Sequence, residues 1–327
     1  MIPAATTRDK FAIICEAVSR QDNLLNVTYL CELAGVSRLG YYNWLACEEG
    51  RQRREVQDQQ DFALILEAYS FRGYAKGARG IYMRLLHRQP SVVMNIKKIR
   101  RLMKKFDLMC PVRRANPYRR MAQSIKTSYV APNLLNREFR LHGPRKVLLT
   151  DITYMPFGQG QRGYLSTIID AYTKQVLSYV FSRSLELDFV LESVRMLIQN
   201  HGISLQGETL VNSDQGAHYT SYKFVRLLKD ENLRQSMSRK ANCWDNAPQE
   251  SFYGHMKDEI DLSHCETHQH VSAVIDDWVD YYNNDRYQWG LAKLSPNEYY
   301  EYVISDVYPL ERVPPDRPMT NNKSEQV

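Results

Sequence analysis

No Cys-x-x-Cys pair occurs in the chain. The six cysteines, Cys15, Cys31, Cys47, Cys110, Cys243 and Cys265, are scattered. That pattern argues against a disulfide framework and for reduced thiols in a cytoplasmic protein. Long apolar runs are also missing. Stretches such as Val92-Val93-Met94 and Val147-Leu148-Leu149 fall far short of a bilayer's thickness, so no membrane association is expected. Residues 1–10 lack the basic-then-apolar order of a secretory signal, and no internal repeat is found. Acidic residues nearly vanish between Lys97 and Arg120. Asp107 alone faces Lys97, Lys98, Arg100, Arg101, Lys104, Lys105, Arg113, Arg114, Arg119 and Arg120. A block of one sign repels itself unless an anion neutralises it, and a nucleic-acid backbone is the natural partner.

The chain does contain enough apolar residue to fold. Hydrophobic residues make up 43% of it, which suffices for sizeable cores, and 327 residues imply two or three domains. The net charge of +6 agrees with a polyanionic partner.

The first third reads as helical. Thr28 is placed to cap a helix over 29–34, Gly35-Val36 to turn the chain, and Ser37 to cap a second helix over 37–45. Leu30, Leu33, Val36, Tyr41 and Leu45 are spaced to join the two. This is helix-turn-helix grammar, with Ser37 and Arg38 opening the helix that would enter a major groove. Further helices are expected over 54–69 and 78–87. From Asn95 an amphipathic helix follows, with Ile96, Ile99, Met103 and Phe106 on one side and most of the basic block on the other. Four prolines with many basic residues make 111–144 a linker able to track DNA.

At Lys146 the grammar changes. Strands are expected over 147–155, 164–169 and 175–181, a helix over 187–200, a strand over 209–211, a helix over 222–230 and a strand over 234–237. Helices follow from about 247 and over 271–282. Three strands in hairpin order, then helix–strand–helix–strand–helix, is an α/β pattern that fits a ribonuclease H-like core with a mixed sheet, preceded by all-α helix-turn-helix modules. The expected domains are a helix-turn-helix over 1–50, a second helical, basic module over 51–110, the linker 111–144, the catalytic core with C-terminal helices over 145–305, and a disordered tail over 306–327.

Three acids stand out. Asp151 interrupts the apolar strand Val-Leu-Leu-Thr-Asp-Ile-Thr-Tyr, where a carboxylate is costly unless donors or a cation compensate it. Asp214 follows a strand in Asn-Ser-Asp-Gln-Gly, and ligand groups of α/β sheets gather beyond strand carboxyl ends. Glu250 falls in the first turn of a helix whose start is marked by Asp245, Asn246 and Pro248. Each has a plainer reading: a strand-edge Asp, a turn residue, and a Glu favoured by the helix dipole. The 35 residues between Asp214 and Glu250 decide nothing, because roughly four acidic pairs would fall at that separation by chance. Lys257, two turns beyond Glu250 on the same face, is placed to hold DNA.

Local context carries more weight. Thr150-Asp151-Ile152-Thr153-Tyr154, Ser213-Asp214-Gln215-Gly216 and the run Ser238–Glu259 closely resemble the catalytic blocks of insertion-sequence-three family transposases, DDE enzymes related to retroviral integrases. Val36–Tyr42, Arg101–Lys104, Tyr281–Arg286 and Leu294-Ser295-Pro296 resemble that family too, so the similarity spans about residues 27–305. Leu148 and Ala241 depart from it, standing where the family often has Trp and Gly.

The resemblance implies a polynucleotidyl transferase that cuts and joins DNA at terminal inverted repeats, with Asp151, Asp214 and Glu250 holding two Mg2+ ions (Mn2+ able to substitute). In that scheme Asp151 bridges both ions and the other two acids each bind one. It also implies DNA ends and target DNA as partners, a homo-oligomer, and a partnership or fusion with the product of an upstream reading frame in a bacterial, nucleoid-associated setting. The expected DNA-binding residues are Ser37, Arg38, Lys97, Lys98, Arg100, Arg101, Lys104, Lys105, Arg113, Arg114 and Lys257. Asp170, at a strand end, is expected to be no ligand. His264, Cys265, His268 and His270 are expected to form a polar loop and helix start, because zinc would need a closed set of four. Trp278, Tyr281 and Tyr282 are expected in the core. The rival readings are a DNA-binding regulator with an inert core and a ribonuclease H-like nuclease.

Overall fold

The computed structural model describes residues 6–74, 76–110, 142–205, 209–238 and 247–310. Arg113, Arg114, most of the expected linker, the cap positions Asp245 and Asn246, and the tail beyond 310 lie outside the described residues. The chain divides into two compact units, Met1–Leu66 and Glu67–Val327.

The first unit opens with α1 (Thr7–Ser19), closed at its start by a capping box between Thr6 and Asp9. Helix α2 (Val27–Ala34) follows, then α3 (Arg38–Ala46). Asn26, not Thr28, caps α2, its side chain accepting from the Tyr29 amide. Thr28 lies inside the helix and accepts from Arg38 Nη1 at 3.3 Å. Gly35 ends α2 at φ 64°, a left-handed conformation that glycine takes without steric cost. Ser37 caps α3 as expected, accepting from Gly40 N. Phe11, Ile14, Leu30, Cys31 and Tyr41 form the core, with Val36 and Trp44 packed against it. Leu33, expected to join α2 and α3, is 73% exposed. Helix α1 supplies the apolar surface that a two-helix reading assigned to Leu33. Helix α4 (Glu48–Ser70) is the longest helix described.

In the second unit, α5 (Ala78–Leu86) and α6 (Ile96–Lys105) precede the sheet. Asn95 caps α6 through the Lys97 amide, and Ile99, Leu102 and Met103 form its buried stripe. The sheet contains β1 (Val147–Phe157), β2 (Gln161–Asp170), β3 (Val176–Ser182), β4 (Leu210–Ser213) and β5 (Arg234–Met237) in the order β3-β2-β1-β4-β5. The first three strands pair antiparallel, while β4 joins β1 and β5 joins β4 in parallel.

Alternation along the strands sorts their side chains onto two faces. Leu148 and Ile168 face a core with α7 (Asp188–His201) and α8 (Tyr222–Asp230), built from Phe189, Val194, Leu197, Phe224 and Leu228. Leu149, Met155, Phe157, Leu165 and Ile169 face the other core, with α9 (Ala247–Glu259) and α10 (His268–Asn284). Trp278, Tyr281 and Tyr282 are buried in that second core, as the sequence implies. Helix α11 (Pro296–Ser305), opened by a capping box from Ser295 to Glu298, packs Tyr299 and Tyr302 with Tyr172 and Leu294. The result is a mixed five-stranded sheet covered on both faces and preceded by helices, the ribonuclease H-like fold.

Candidate active site

Asp151 lies on the β1 face that looks toward α9, between Leu149 and Thr153 in the alternation. One carboxylate oxygen accepts from the Ile152 amide at 2.8 Å. Its pKa is pushed up to about 8, first by loss of water, then by the negative charge of Asp214. The Ile152 amide opposes that rise, Glu250 adds to it, and Lys257 offsets part of it.

Asp214 leaves the carboxyl end of β4, the strand paired in parallel with β1. Its Oδ1 accepts from the Gly216 amide at 2.8 Å, closing a tight turn. At Gly216 space matters rather than backbone angle, since a Cβ there would lie 2.8 Å from Asp214 Oδ1 and the carboxylate would have to shift. The carboxylate opens to solvent on one side. Desolvation by the remaining walls still raises its pKa, and the Gly216 amide and His218 restrain the rise.

Glu250 sits in the first turn of α9, exposed, where the helix dipole favours a negative charge. Its neighbours fix the helix. Gln249 and Tyr253 are buried beneath it, and Lys257 Nζ donates to Thr153 Oγ1 at 2.5 Å, tying α9 to β1 two residues beyond Asp151.

Both Asp214 and Glu250 thus act electrostatically on Asp151. Among the described residues, no three His, Cys, Asp or Glu groups already form a cluster that could hold a metal ion. The donor chemistry nevertheless fits a hard divalent cation. All three groups offer carboxylate oxygens, and the half-buried Asp151 carries a charge burden that a cation would relieve.

The other expected site residues fall elsewhere. On α6, Lys97, Arg100, Arg101, Lys104 and Lys105 are exposed and Lys98 is half-buried. Ser37 and Arg38 are exposed, with the Ser37 hydroxyl committed to its cap. Asp170 is fully buried and accepts from Arg145 N, Tyr172 N and Thr173 Oγ1 at 2.9–3.1 Å, which makes it a structural bracket. His264 and His270 are exposed, Cys265 is buried, and His268 Nε2 lies 3.3 Å from Phe181 O. Sequence reasoning missed Thr167, Gln249 and Tyr253. They carry no charge and belong to no periodic pattern of their own. A polar Thr inside the apolar strand β2 was the one available signal.

A mixed sheet with one acid inside its central strand β1, a second just beyond the end of β4 and a third on a later helix is the arrangement of an integrase-type core. Comparison with known proteins agrees. A model described as an integrase core domain matches residues 142–243, a second of the same description matches 231–296, and an HTH-like domain matches 56–116. The last match takes in α5 and α6. The 31 kDa protein of insertion element IS600 from Shigella sonnei is 31% identical over 278 residues, covering 83% of this chain and 97% of that one. Transposase InsF of insertion sequence IS3A from Escherichia coli is 26% identical, covering 84% of this chain and 93% of its own. The catalytic core of HTLV-2 integrase, solved with magnesium, aligns with a TM-score of 0.38 at 14% identity, over 49% of this chain and 99% of that one.

The chain belongs to the insertion-sequence-three (IS3) family of transposases. Among the described residues no helix is long and apolar enough to cross a membrane.

Proposed function

We propose that this transposase cleaves DNA at the terminal inverted repeats of its element and joins the freed ends to target DNA, with Asp151, Asp214 and Glu250 as its catalytic carboxylates. The observation that supports the proposal is the electrostatic influence on Asp151, within β1, of Asp214 just beyond β4 and of Glu250 in the first turn of α9. Two Mg2+ ions held there, or Mn2+ in their place, would supply charge neutralisation on the entering and leaving oxygens of an in-line displacement.

The residues of the chain do the rest. The carboxylates fix where the scissile phosphate sits. Water attacks first and leaves a 3′-hydroxyl, and that hydroxyl then attacks a second phosphodiester in the same site. Each step breaks one P–O bond as it forms another, so no covalent enzyme intermediate is needed. The exposed cations of α6 hold the phosphate backbone, joined by Arg113, Arg114 and Lys257, while α3, opened by Ser37 and Arg38, reads bases. The module boundaries follow from these roles: 1–50 and 51–110 for recognition, 111–144 as a basic linker and 145–305 for catalysis. Two DNA ends held together call for at least a dimer, and the product of an upstream reading frame is the expected partner or fusion.

The test is incubation with Mg2+ and DNA that carries the element's ends, scoring cleaved and joined strands for the wild type and for Asp151→Asn, Asp214→Asn and Glu250→Gln. Loss of both products in all three variants is expected. Full activity in any one removes that residue from the site. Binding without cleavage by the wild type would identify a regulator with an inert core, and cleavage without end sequences or joining would identify a nuclease.

A further inference from the structure

Helix α9 is attached to the sheet at the register of Asp151. Thr167 is the cross-strand partner of Asp151 in the antiparallel β1–β2 pair, so the two side chains share the face that looks toward α9. Thr167 and Gln249 are completely buried, and Tyr253 is 6% exposed.

Three hydrogen bonds run through them. Gln249 Nε2 donates to Thr167 Oγ1. Thr167 Oγ1 and Tyr253 Oη are 2.8 Å apart, and Tyr253 Oη donates to the Asp151 carbonyl oxygen at 2.6 Å. A phenol has one proton, and here it goes to the Asp151 carbonyl, which has none to give. The Thr167 hydroxyl must then donate to Tyr253, which leaves its own lone pair for Gln249. The chain therefore has one direction: Gln249 to Thr167 to Tyr253 to Asp151. It starts next to Glu250 in sequence and ends on the backbone of Asp151. Both contributing side chains of α9 bracket Glu250, one residue before it and three after, or about one helical turn.

We propose that Tyr253 is a positioning residue, which with Thr167 and Gln249 fixes the distance between Glu250 on α9 and Asp151 on β1 so that both carboxylates meet the same metal centre. This rests on the carboxylate reading above. Tyr253 is not itself a nucleophile, because its oxygen is buried and engaged on both sides. An apolar contact would hold the helix against the sheet equally well but would let it slide. Directional bonds to a backbone carbonyl and a cross-strand hydroxyl set its register.

The test uses Tyr253→Phe, which keeps the ring and removes the hydroxyl, and Thr167→Val, which removes the link from the opposite side. Three quantities are measured on the full chain: Mn2+ affinity by electron paramagnetic resonance, affinity for end DNA by gel shift, and the single-turnover cleavage rate. Tyr308→Phe is the control for loss of an ordinary tyrosine–carbonyl bond, since Tyr308 Oη donates to Ala292 O at 2.8 Å within the cluster around α11.

Outer partners of metal ligands typically change metal affinity or activity about 10–100-fold. Tyr253→Phe is expected to weaken Mn2+ binding and slow cleavage by about that range, leave DNA affinity unchanged, and differ in this from Tyr308→Phe. Wild-type Mn2+ affinity and rate in a folded Tyr253→Phe overturn the proposal. If that variant does not fold, Thr167→Val decides by the same two quantities. Asp151→Asn and Glu250→Gln run alongside: if they remain active, the carboxylate reading fails and takes this one with it, whereas inactive carboxylate variants beside a fully active Tyr253→Phe overturn the positioning role alone.

Discussion

Asp151 and Asp214 each follow by two residues the Leu149↔Asn212 pair, the last that β1 and β4 share, and the charge of Asp214 acts on Asp151. Strand β1 continues past that point as half of a hairpin with β2, whereas β4 stops and turns. The two carboxylates therefore differ in setting. Asp151 is held in a continuous strand with little water, and Asp214 is held by a turn that opens to solvent. Like charges in such proximity raise one another's cost of ionisation, and a site that endures this cost awaits a counter-charge.

Gly216→Ala tests how closely that turn is fitted. The added methyl would lie 2.8 Å from Asp214 Oδ1 and must displace the carboxylate or the loop. Cleavage is expected to drop about tenfold or more, since misplacement of a reacting group by about 1 Å can cost 100-fold. The turn is partly exposed, so thermal stability should hardly move. Wild-type single-turnover kinetics in this variant would show that the turn does not set the position of Asp214.

Salt dependence tests the basic helix. Each phosphate contact contributes about 0.9 to the slope of log affinity against log salt on duplex DNA. Changing Lys97, Lys98, Arg100 and Arg101 to Ala should flatten the slope by about that amount for every residue that touches a phosphate. Gel-shift titrations between 50 mM and 200 mM salt measure it. An unaltered slope places α6 away from DNA.

Arg72 tests how the segment before α5 is fastened to α10. Its guanidinium reaches Asp277 at 2.8 Å, Asp280 at 2.9 Å and Asp285 at 3.1 Å, and Asp285 also receives Arg84 at 3.2 Å. Removing the cation leaves Asp277 and Asp280 without a cationic partner there, while Arg84 still reaches Asp285. Asp277 and Asp280 are more than half exposed, so water offsets much of that loss. A loss of about 1–2 kcal/mol is expected in urea unfolding, between the values typical of exposed and buried pairs. Arg72 has φ 55°, so Arg72→Ala removes the charge and keeps the backbone strain, whereas Arg72→Gly relieves that strain and should be the less destabilised of the two. Equal stability of Arg72→Ala and wild type at low salt would show that the ion pairs do not fasten the segment.

Lys76 gives stability a pH dependence of defined sign. Its Nζ donates to the Phe71 and Tyr74 carbonyls at 2.6 Å each, yet burial lowers its pKa from 10.5 to about 8. Between those values the unfolded chain binds more protons than the folded one, so stability rises with pH across the window. Below about pH 8 both states carry the proton and the cost of burying the charge is borne in full. Lys76→Met should remove that slope, and other titrating groups cancel in the comparison. Urea midpoints at pH 8 and pH 10 should move in favour of the wild type as pH rises. A wild-type-minus-variant difference that stays flat would mean that Lys76 titrates normally.

Much of the architecture was legible before any coordinates. The expected spans of α8 and β5 coincide with the observed ones, because clear turn residues bound them. The β1–β2 hairpin was legible from Gly158 and Gly160, though the strands run further than their apolar stretches suggest, since pairing continues once register is set. Helix α1 and the exposure of Leu33 were not legible. Spacing on α2 alone cannot say which of two apolar faces a third helix will cover. The basic side of α6 could be read from sequence, while the aspartates that Arg72 gathers from α10 and its end could not.

The order of amino acids by itself determined most of the elements and the family, and singled out three candidate acids, because strand alternation, turn chemistry and local motifs are properties of neighbours along the chain. The tertiary structure alone decided that Asp151 faces α9, that Asp214 lies beside it, and that Tyr253 and Thr167 link the helix to the strand. Those relations join residues from 16 to more than 100 positions apart. They depend on which strand pairs with which and on which face a helix covers, and burial and hydrogen bonding settle both only when the whole chain has folded.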